Sequence, residues 1–380
     1  MGNVKFGVIG LGNMGTMTAD YLSKGEIEGA ELAAVCEMFP ERLKWAAGHF
    51  PSSVAGFDSI EAMLTSGSID AVYIATPHFD HPAIAIRAFE CGLHVLTEKP
   101  AGVYTKQVRQ MNESAARAGT VFGIMYNART QPLYRKLREL VISGELGAIR
   151  RTNWIVTNWY RPQSYYDSGT WRGTWAGEGG GVLINQAPHQ LDLWQWTIDM
   201  MPKRIRASCY FGKNRDIEVE DEVIAFAEYE NGATGQLITS TGESPGTNRY
   251  EVVGDRGKLV IEDGKMTFWR LRVPETEFNR TSTDLFRQPE CWKFDVPLPK
   301  QEKDGHLLTT QNFADAIRTG TPLIAPGEEG IKGLMLSNAM HLSAWTDGWA
   351  DLPVDEDLYL SHLEERMRTS RFKRAKDGAE

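Results

Sequence analysis

The sequence predicts an α/β protein with two domains, the first built on a parallel sheet and the second on a largely antiparallel one. Up to residue 126, short apolar runs alternate with helix-like segments, which is typical of βαβ units. After Asn127, strand-like runs follow one another with turn signals between them. A length of 380 residues suits two or three domains, so we place the domains at 1–126 and 127–380.

Each element of the first domain has a local cause in the sequence. The strands are short apolar runs, and turn residues bound the helices between them. Pro40 suits the first turn of the second helix, and Gly25 and Gly92 end the first and third helices. The strands are predicted at VKFGVIG, ELAAVCE, DAVYIATP, LHVLTEKP and VFGIMYN, and the helices at MGTMTADYLSKG, PERLKWAAGHF, HPAIAIRAFECG and TKQVRQMNESAARAG.

The second domain is predicted to begin with a helix at PLYRKLRELVISG and to continue as strands. Asn231-Gly232 and Asp263-Gly264 separate apolar runs and favour hairpins. Two helices follow near LLTTQNFADAIRTG and EEGIKGLMLSNAMHLSAW, and the charged tail 364–380 is expected to be a solvated end. The strands are predicted within AIRRTNWIVTNW, RIRASCYFG, DEVIAFAEYENGATGQLITSTG and RYEVVGDRGKLVIEDGKMTFWRL.

The composition argues against several classes of protein. A net charge of −9 argues against nucleic-acid binding, which usually requires a basic face. The sequence has no run of about 18 apolar residues to span a membrane, and it enters a strand at once instead of forming a signal peptide. The four cysteines are scattered and form no CxxC pair. We therefore expect a cytoplasmic protein with no disulfide framework and no zinc site.

A glycine-rich loop follows the first strand in GVIGLGNMG. Gly10, Gly12 and Gly15 have the G-x-G-x-x-G spacing and lie between a strand and a helix, the context that dinucleotide binding requires. Gly10 permits the tight turn, Gly12 lets a pyrophosphate approach, and Gly15 lets helix and strand pack closely. Asn13 and Met14 begin the helix, whose free N–H groups favour phosphate. A purely structural turn is the alternative.

Glu37 indicates which dinucleotide binds. It lies at the end of the second strand, where an acid accepts hydrogen bonds from the adenosine ribose and repels a 2′-phosphate. Arg42 lies nearby in the next helix and is interpreted as a surface residue. We therefore predict NAD as the cofactor, with NADP less favoured.

Glu98-Lys99-Pro100 ends the run LHVLTEKP, just after the fifth strand. This motif is similar to the signature of the Gfo/Idh/MocA family, which is named for glucose–fructose oxidoreductase and inositol dehydrogenase. The resemblance covers nearly the whole chain. It extends over ATPHFDHPAIAIRAFECGLHVLTEKP, GTWRGTWAGEGGGVLINQAPHQLDLWQW and RYEVVGDRGKLVIED.

The resemblance implies a Rossmann domain followed by an α/β domain with an open, mostly antiparallel sheet. It implies a nicotinamide cofactor, a sugar, polyol or glycoside substrate, and a homodimer or homotetramer formed through the sheet face. It also implies cofactor contacts for Thr76, Pro77, His81, Glu98, Lys99, Asn127, Trp171 and Arg172.

Lys99 is a candidate catalytic and substrate-binding residue. It lies at the carboxyl end of a strand, where ligands bind in doubly wound sheets. Pro100 restricts the backbone of Lys99 to extended geometry. The ammonium can then stabilise a developing alkoxide. A surface ion pair with Glu98 is the alternative.

His189 is the candidate general base, because imidazole titrates near neutral pH. The family usually has an aspartate four residues earlier, and this chain has Asn185, which is neutral but can orient the substrate or the ring. We include both residues in the catalytic and substrate-binding set and leave Asp192 out. The alternatives are that Asn185 caps a helix starting near Gln186 and that His189 is a core histidine.

The aromatic run from Trp154 to Trp175 has no clear period in its middle and is interpreted as loop. Amphipathic rings beside a catalytic motif suit a sugar ring, so we predict substrate contacts for Tyr160, Arg161 and Tyr165. The alternative is that these rings fill an oligomer interface. His78, Asp80 and His81 have metal-ligand side chains, but we expect no metal site there.

These residues together predict an NAD-dependent oxidoreductase that transfers a hydride at a secondary hydroxyl of a cyclic sugar, glycoside or inositol. Two alternatives stay open. One is an enzyme that retains NAD and acts by transient oxidation, as in glycoside 3-oxidation, glycoside cleavage or redox exchange between sugars. The other is a non-enzymatic regulator that senses a sugar.

Overall fold

The computed structural model describes residues 2–372. Its contacts separate two compact units, the first formed by Met1–Thr130 with Glu302–Leu334 and the second by Gln131–Gln301 with Met335–Glu380. The sequence-based boundaries assign all residues after 126 to the second domain. Glu302–Leu334 instead returns to the first unit.

Strands and helices are numbered in chain order. The strands are β1 (Val4–Ile9), β2 (Ala30–Cys36), β3 (Ala55–Phe57), β4 (Ala71–Ile74), β5 (His94–Thr97), β6 (Phe122–Ile124), β7 (Ile149–Val156), β8 (Arg204–Phe211), β9 (Glu220–Glu228), β10 (Thr234–Ser240), β11 (Asn248–Gly254), β12 (Gly257–Glu262), β13 (Lys265–Leu271), β14 (Cys291–Asp295) and β15 (Ala350–Asp351). The helices are α1 (Asn13–Ser23), α2 (Pro40–His49), α3 (Ile60–Leu64), α4 (His81–Glu90), α5 (Thr105–Ala118), α6 (Pro132–Ile142), α7 (Gln163–Asp167), α8 (Pro188–Trp196), α9 (Glu275–Thr281), α10 (Gly305–Thr319), α11 (Gly330–Thr346) and α12 (Glu356–Thr369).

The first unit contains a six-stranded sheet in the order β3-β2-β1-β4-β5-β6. All neighbouring strands in it are parallel. This is the strand order of the Rossmann fold, and the order reverses between β1 and β4. The loops that follow β1 and β4 therefore meet at the edge where such sheets bind ligands.

Helix α10 explains why the late segment joins the first unit. Its apolar side chains Leu307 and Phe313 are buried in the same core as Phe6 of β1. The Phe6 and Phe313 rings meet edge to face, 6.0 Å apart. Glu28 N–H also donates to the Gln311 side chain at 2.7 Å. The buried apolar face of α10 thus belongs to the core of the parallel sheet, although it lies far away in sequence.

The second unit contains a nine-stranded sheet in the order β14-β13-β12-β11-β7-β10-β9-β8-β15. Within the described strands, β7 and β10 are parallel and the other neighbouring pairs are antiparallel. Asp263 and Gly264 both have positive φ, 51° and 71°, as a tight hairpin turn requires. The prediction of a Rossmann domain followed by an open, mostly antiparallel sheet is confirmed.

Helix α8 packs on the second sheet and contains His189, the predicted general base. Trp194 of α8 is fully buried, and its indole N–H donates to the Thr152 hydroxyl of β7 at 2.9 Å. Trp154 of β7 stacks on Tyr250 of β11, with ring centroids 4.2 Å apart. The Trp194 contact anchors the second half of α8 on the sheet, and the first turn of the same helix contains His189.

The prediction for the charged tail is wrong for part of its length. Glu364–Thr369 belongs to α12 instead of forming a loose end. The Ser370 hydroxyl donates to Glu218 at 2.7 Å, and 373–380 lie outside the described residues. Among residues 2–372, no helix has both the length and the hydropathy that crossing a membrane requires.

Candidate active site

Two of the three loop glycines are required by packing within the first unit. Gly10 has a φ of 89°, and a Cβ there would lie 2.7 Å from the Ala75 carbonyl oxygen. A Cβ on Gly15 would lie 1.8 Å from the Gly10 carbonyl oxygen. Gly15 therefore lets the first turn of α1 lie close to the end of β1, and Gly10 lets the same loop lie against Ala75 after β4.

Gly12 is different, because nothing in the protein explains it. A Cβ on Gly12 would meet no atom within 4 Å, and its φ of −72° suits any residue. Asn13 and Met14 begin α1 directly after it, and the first turn of this helix contains no acidic side chain. Open space beside a free helix N-terminus is what a pyrophosphate needs, so these residues fit the phosphates of NAD.

Glu37 is fixed against the glycine loop, and its side chain is 6% exposed. One carboxylate oxygen accepts from the Leu11 N–H at 2.9 Å, and the other accepts from the Phe39 N–H at 3.2 Å. Arg42 lies 3.8 Å from the same carboxylate. The arginine that could have favoured a 2′-phosphate is thus paired with the acid that repels it.

The loop after β4 contains three of the predicted cofactor contacts, Thr76, Pro77 and, at the start of α4, His81. The Thr76 hydroxyl oxygen is buried and has no hydrogen-bond partner among the described residues, which fits a contact with a bound group. Pro77, beside it, is exposed. His81 is 1% exposed, and its two ring nitrogens lie 2.8 Å from the carbonyl oxygens of Thr76 and Pro100.

The cofactor contact predicted for His81 stays a prediction. Each ring nitrogen lies beside a backbone carbonyl oxygen, so the side chain joins the loop after β4 to Pro100, the last residue of the Glu98-Lys99-Pro100 signature. In the part of the chain that the structure describes, no cluster of three or more His, Cys, Asp or Glu side chains could hold a metal ion.

Glu98 supports the backbone of Lys99. Its carboxylate is 5% exposed and accepts hydrogen bonds from the Tyr73 hydroxyl, at 2.5 Å, and from the Lys99 N–H, at 3.0 Å. Burial and the Glu98 charge hold the pKa of Tyr73 well above its usual value, so the phenol remains a donor. Lys99 is partly exposed at the carboxyl end of β5, and its peptide bond to Pro100 is cis.

Asn127 contacts a histidine that the sequence does not single out. Asn127 begins a short 3₁₀ turn, and its amide nitrogen lies 3.0 Å from His306 Nδ1. His306 is in the first turn of α10, where Asp304 caps the helix by accepting from the His306 N–H at 2.8 Å. The returning segment thus brings a polar side chain to a predicted cofactor position.

In the second unit, the glycines before Asn185 are needed for packing. A Cβ on Gly181 would lie 1.9 Å from the Glu220 carbonyl oxygen. The buried Glu220 carboxylate accepts from the N–H groups of Gly181 and Leu183, at 2.9 and 3.0 Å. It also lies 2.9 Å from Nε2 of the buried His341. Glu220 and the glycines together shape the turn that leads into α8.

Asn185 is not a helix cap. Helix α8 begins at Pro188 with Ala187 at the cap position, so the capping alternative is wrong. The Asn185 amide instead donates to Glu178 and to the Tyr165 hydroxyl, the latter at 3.2 Å. His189 follows Pro188 in the first turn of α8 and is half-buried.

Glu178 is the functional candidate that sequence reasoning missed. Its side chain is 1% exposed, and burial raises its pKa from 4.5 to about 7. Hydrogen bonds from the Gly173 N–H, at 2.6 Å, and from Asn185 oppose this rise, as does the charge of Arg172. Position 185 thus holds a neutral amide that is hydrogen-bonded to a buried carboxyl group. The acid in AGEGGG was its one visible signal.

Tyr165 connects several predicted site residues. Its hydroxyl oxygen accepts from Arg172 at 2.7 Å as well as from Asn185. The guanidinium of Arg172 lies 4.4 Å from the Trp171 ring centroid and 4.5 Å from that of Tyr165. Because the oxygen already accepts these bonds, the phenolic proton remains available to donate. Asn185, Tyr165 and Arg172 therefore form one polar cluster.

Two further predicted residues border this cluster. Arg161 lies 5.1 Å from the centroid of the Tyr165 ring, and Tyr160 beside it is 47% exposed. Asp192, one turn after His189, is 1% exposed and accepts from the Gln195 amide at 3.1 Å.

Two family models match the chain, one for each domain. Residues 4–126 match an oxidoreductase family with an NAD-binding Rossmann fold, and residues 134–260 match the GFO/IDH/MocA C-terminal domain. The predictions of an NAD cofactor and of a dehydrogenase are thus confirmed at the level of the family.

Individual proteins are similar over most of the chain. A 1-carboxy-3-chloro-3,4-dihydroxycyclohexa-1,5-diene dehydrogenase of Comamonas testosteroni is 29% identical over 83% of this chain and 79% of its own. The myo-inositol 2-dehydrogenase of Thermotoga maritima is 23% identical over 88% and 95%. The crystal structure of the WlbA dehydrogenase from Bordetella pertussis, in complex with NADH and UDP-GlcNAcA, is 26% identical. It covers 93% of this chain and 100% of that one, with a TM-score of 0.77. Fold, glycine loop and domain matches agree, and this chain belongs to the Gfo/Idh/MocA family of NAD-binding oxidoreductases.

Proposed function

We propose that the protein is an NAD-dependent dehydrogenase that oxidises or reduces a secondary hydroxyl of a cyclic sugar, glycoside or inositol. The observation that carries this proposal is the polar cluster of Asn185, Tyr165 and Arg172. Asn185 lies four residues before His189 in the sequence. Amide, phenol and guanidinium groups can form hydrogen bonds with the hydroxyl groups of such a ring. Relatives named for an inositol and for a nucleotide-linked sugar support this substrate class.

In the proposed reaction, His189 and Lys99 act on the reacting hydroxyl. The neutral imidazole accepts the hydroxyl proton. The Lys99 ammonium, whose backbone Glu98 positions, stabilises the negative charge that develops on the oxygen. When bound, NAD supplies the acceptor for the hydride that leaves the carbinol carbon. Glu178 accepts a hydrogen bond from the Asn185 amide and holds this amide in one orientation.

Single substitutions test this assignment. We expect Lys99→Ala and His189→Ala each to lower turnover by about 10²–10⁴-fold, because each removes one proton-transfer or charge-stabilising group. NAD binding, followed by fluorescence titration, should be retained. Lys44→Ala, which removes an exposed lysine on α2, is the control. Near-normal turnover in either active-site variant would contradict the proposal.

The substrate is sought by following NADH formation over inositols, aldoses and glycosides. Mass spectrometry of the purified protein, with a measurement of net NADH release, separates this function from the alternative in which NAD is retained. An NAD-loaded protein that converts glycosides without net NADH would favour that alternative. Sugar binding without any turnover would favour a regulator.

We also propose that the protein forms a homodimer or homotetramer through the outer face of its nine-stranded sheet. Large apolar side chains are exposed there: Ile224 is 39% exposed and Phe226 is 41% exposed, on a strand whose alternate residues are buried. Burying such a face against a second copy removes apolar surface from water.

We further propose a cytoplasmic location. The cysteines Cys36, Cys91, Cys209 and Cys291 are free thiols, which supports this proposal.

A further inference from the structure

Three arginines gather around two aromatic rings in the second unit. The guanidinium groups of Arg161 and Arg172 lie 5.1 and 4.5 Å from the centroid of the Tyr165 ring. The guanidinium of Arg215 lies 5.1 Å from the centroid of the Tyr160 ring. Arg215 Nε also donates to the Arg161 carbonyl oxygen at 2.7 Å. Stacking on aromatic faces and a shared backbone contact hold these cations near one another.

None of these three guanidinium groups forms a salt bridge with a carboxylate within residues 2–372. Other arginines of the same unit do, such as Arg204 with Glu228 at 2.7 Å. Arg215 Nη1 donates to the Asn214 carbonyl oxygen at 2.7 Å, while its Nη2 is buried and has no partner among the described atoms. A buried, unpartnered guanidinium nitrogen calls for an acceptor from outside the chain.

The acids nearby are engaged elsewhere. Asp216 pairs with Arg371 at 2.8 Å, and Glu222 pairs with Lys213 at 2.7 Å. The Asp221 carboxylate accepts the Asn214 N–H at 2.6 Å. Glu178 acts on Arg172 through its charge, but its raised pKa leaves it only partly ionised at neutral pH. The cluster therefore keeps a net positive charge.

An open cleft borders the cluster. It has a volume of about 580 Å³ and is lined by Tyr160, Pro162, Gln163 and the loop 212–216, which includes Arg215. The same cluster reaches the proposed substrate site, because the Tyr165 hydroxyl accepts from both Arg172 and Asn185. A ring held at Asn185 would thus place its substituents toward arginines that lack a carboxylate partner.

We propose that Arg161, Arg172 and Arg215 form a subsite for an anionic group on the substrate, a carboxylate or a phosphate. The planar fork of a guanidinium matches both groups, and charge-assisted hydrogen bonds of this kind are stronger than neutral ones. The placement of the sugar ring rests on the proposed function. The anion subsite itself rests on the unpaired arginines and the cleft. The substrate class is accordingly an acidic or phosphorylated sugar.

Direct binding tests the subsite without requiring turnover. Isothermal titration calorimetry compares glucuronate, glucose 1-phosphate and uncharged methyl glucoside. We expect the wild-type protein to bind at least one anionic sugar about tenfold or more tightly than the neutral one, a preference that weakens with salt. Arg161→Gln and Arg215→Gln should each lower the ratio of anionic to neutral affinity, and Arg117→Gln, on the exposed side of α5, should not.

Comparing the two anionic sugars shows whether the subsite prefers a carboxylate or a phosphate group. Preference for glucuronate indicates a sugar acid, and preference for glucose 1-phosphate indicates a phosphorylated or nucleotide-linked sugar. Equal affinity for neutral and anionic sugars, or an unchanged ratio in both arginine variants, would overturn the subsite. Charge-dependent binding without NADH formation from any bound sugar would support the subsite and count against the proposed dehydrogenase.

Discussion

Glu178 gives the site a titrating group that Asn185 lacks. Burial raises its pKa from 4.5 to about 7. At a pH between these two values, the carboxyl group of the folded protein holds a proton that the same group in the unfolded chain has released. The free energy of unfolding therefore falls as pH rises through this interval. Above it, the contribution of Glu178 stays unfavourable, because the ionised carboxylate is buried.

Glu178→Gln should remove this pH dependence. We expect the variant to gain stability relative to wild type as pH rises from about 4.5 to 7, measured by urea unfolding at a series of pH values. Glu139→Gln, at a position where the acid is 63% exposed and paired with Lys136 on α6, is the control. Parallel stability curves for wild type and Glu178→Gln would show that the carboxyl does not titrate in this range.

Moving the carboxylate from position 178 to position 185 tests how its location affects the pH dependence of turnover. Asn185→Asp places a second acid against Glu178, and two carboxylates sharing a site raise the pKa of one of them. The single variant should shift the acid limb of the pH–rate profile upward, because a nearby negative charge favours the imidazolium of His189. The double variant Asn185→Asp with Glu178→Gln restores a single carboxyl. Its turnover should therefore lie nearer to wild type than that of Asn185→Asp.

A double-mutant cycle measures this coupling. Additive effects of the two substitutions would contradict it and would leave Glu178 with a purely structural role.

The site residues divide by how their contacts are encoded. The glycine loop, Glu37, Lys99 and His189 are candidates from sequence alone, because each lies in a short pattern of fixed spacing. The contact between Asn127 and His306 could not be predicted, because the two residues are 179 positions apart and no local pattern links them. The two carbonyl contacts of His81 likewise depend on the folded backbone and have no signal in the motif.

Among the elements, the turn from β1 into α1 makes the sharpest prediction. Gly12→Ala should fold normally, because its Cβ meets no atom within 4 Å, yet it should bind NAD much more weakly. Gly15→Ala should destabilise the first unit, because its Cβ would lie 1.8 Å from a carbonyl oxygen. Thermal unfolding and NAD titration of both variants separate the two effects. Unchanged NAD affinity in Gly12→Ala would contradict the pyrophosphate assignment.

Local sequence signals, more than element length, explain which parts of the fold could be predicted. Strands β4, β5 and β6 have only four, four and three residues, but each lies in an apolar run and was predicted, as was the hairpin at Asp263-Gly264. Strands β3, β14 and β15 and the five-residue helices α3 and α7 lack such a run and depend on pairing and packing with distant residues. Helix α12 has 14 residues and was still missed, because its charged second half was interpreted as a solvated end.

For the whole molecule, the exposed sheet face predicts the oligomeric state. Phe226→Glu places a charge in the middle of the proposed interface, so it should shift the protein toward monomers in analytical ultracentrifugation. Phe286→Glu changes a phenylalanine that is 91% exposed and lies outside the strands, and it is the control. A wild-type protein that sediments as a monomer at all concentrations would contradict the proposal.

The return of Glu302–Leu334 to the first unit also has a consequence for biosynthesis. A growing chain on the ribosome exposes the complete parallel sheet long before it contains α10. Until that helix emerges, Phe6 lacks the ring of Phe313 that covers it in the finished protein. The first unit is therefore begun first but stays without its final helix until residues 131–301 of the second unit have been made. The two units are then completed one after the other, the first by Glu302–Leu334 and the second by the segment that follows it.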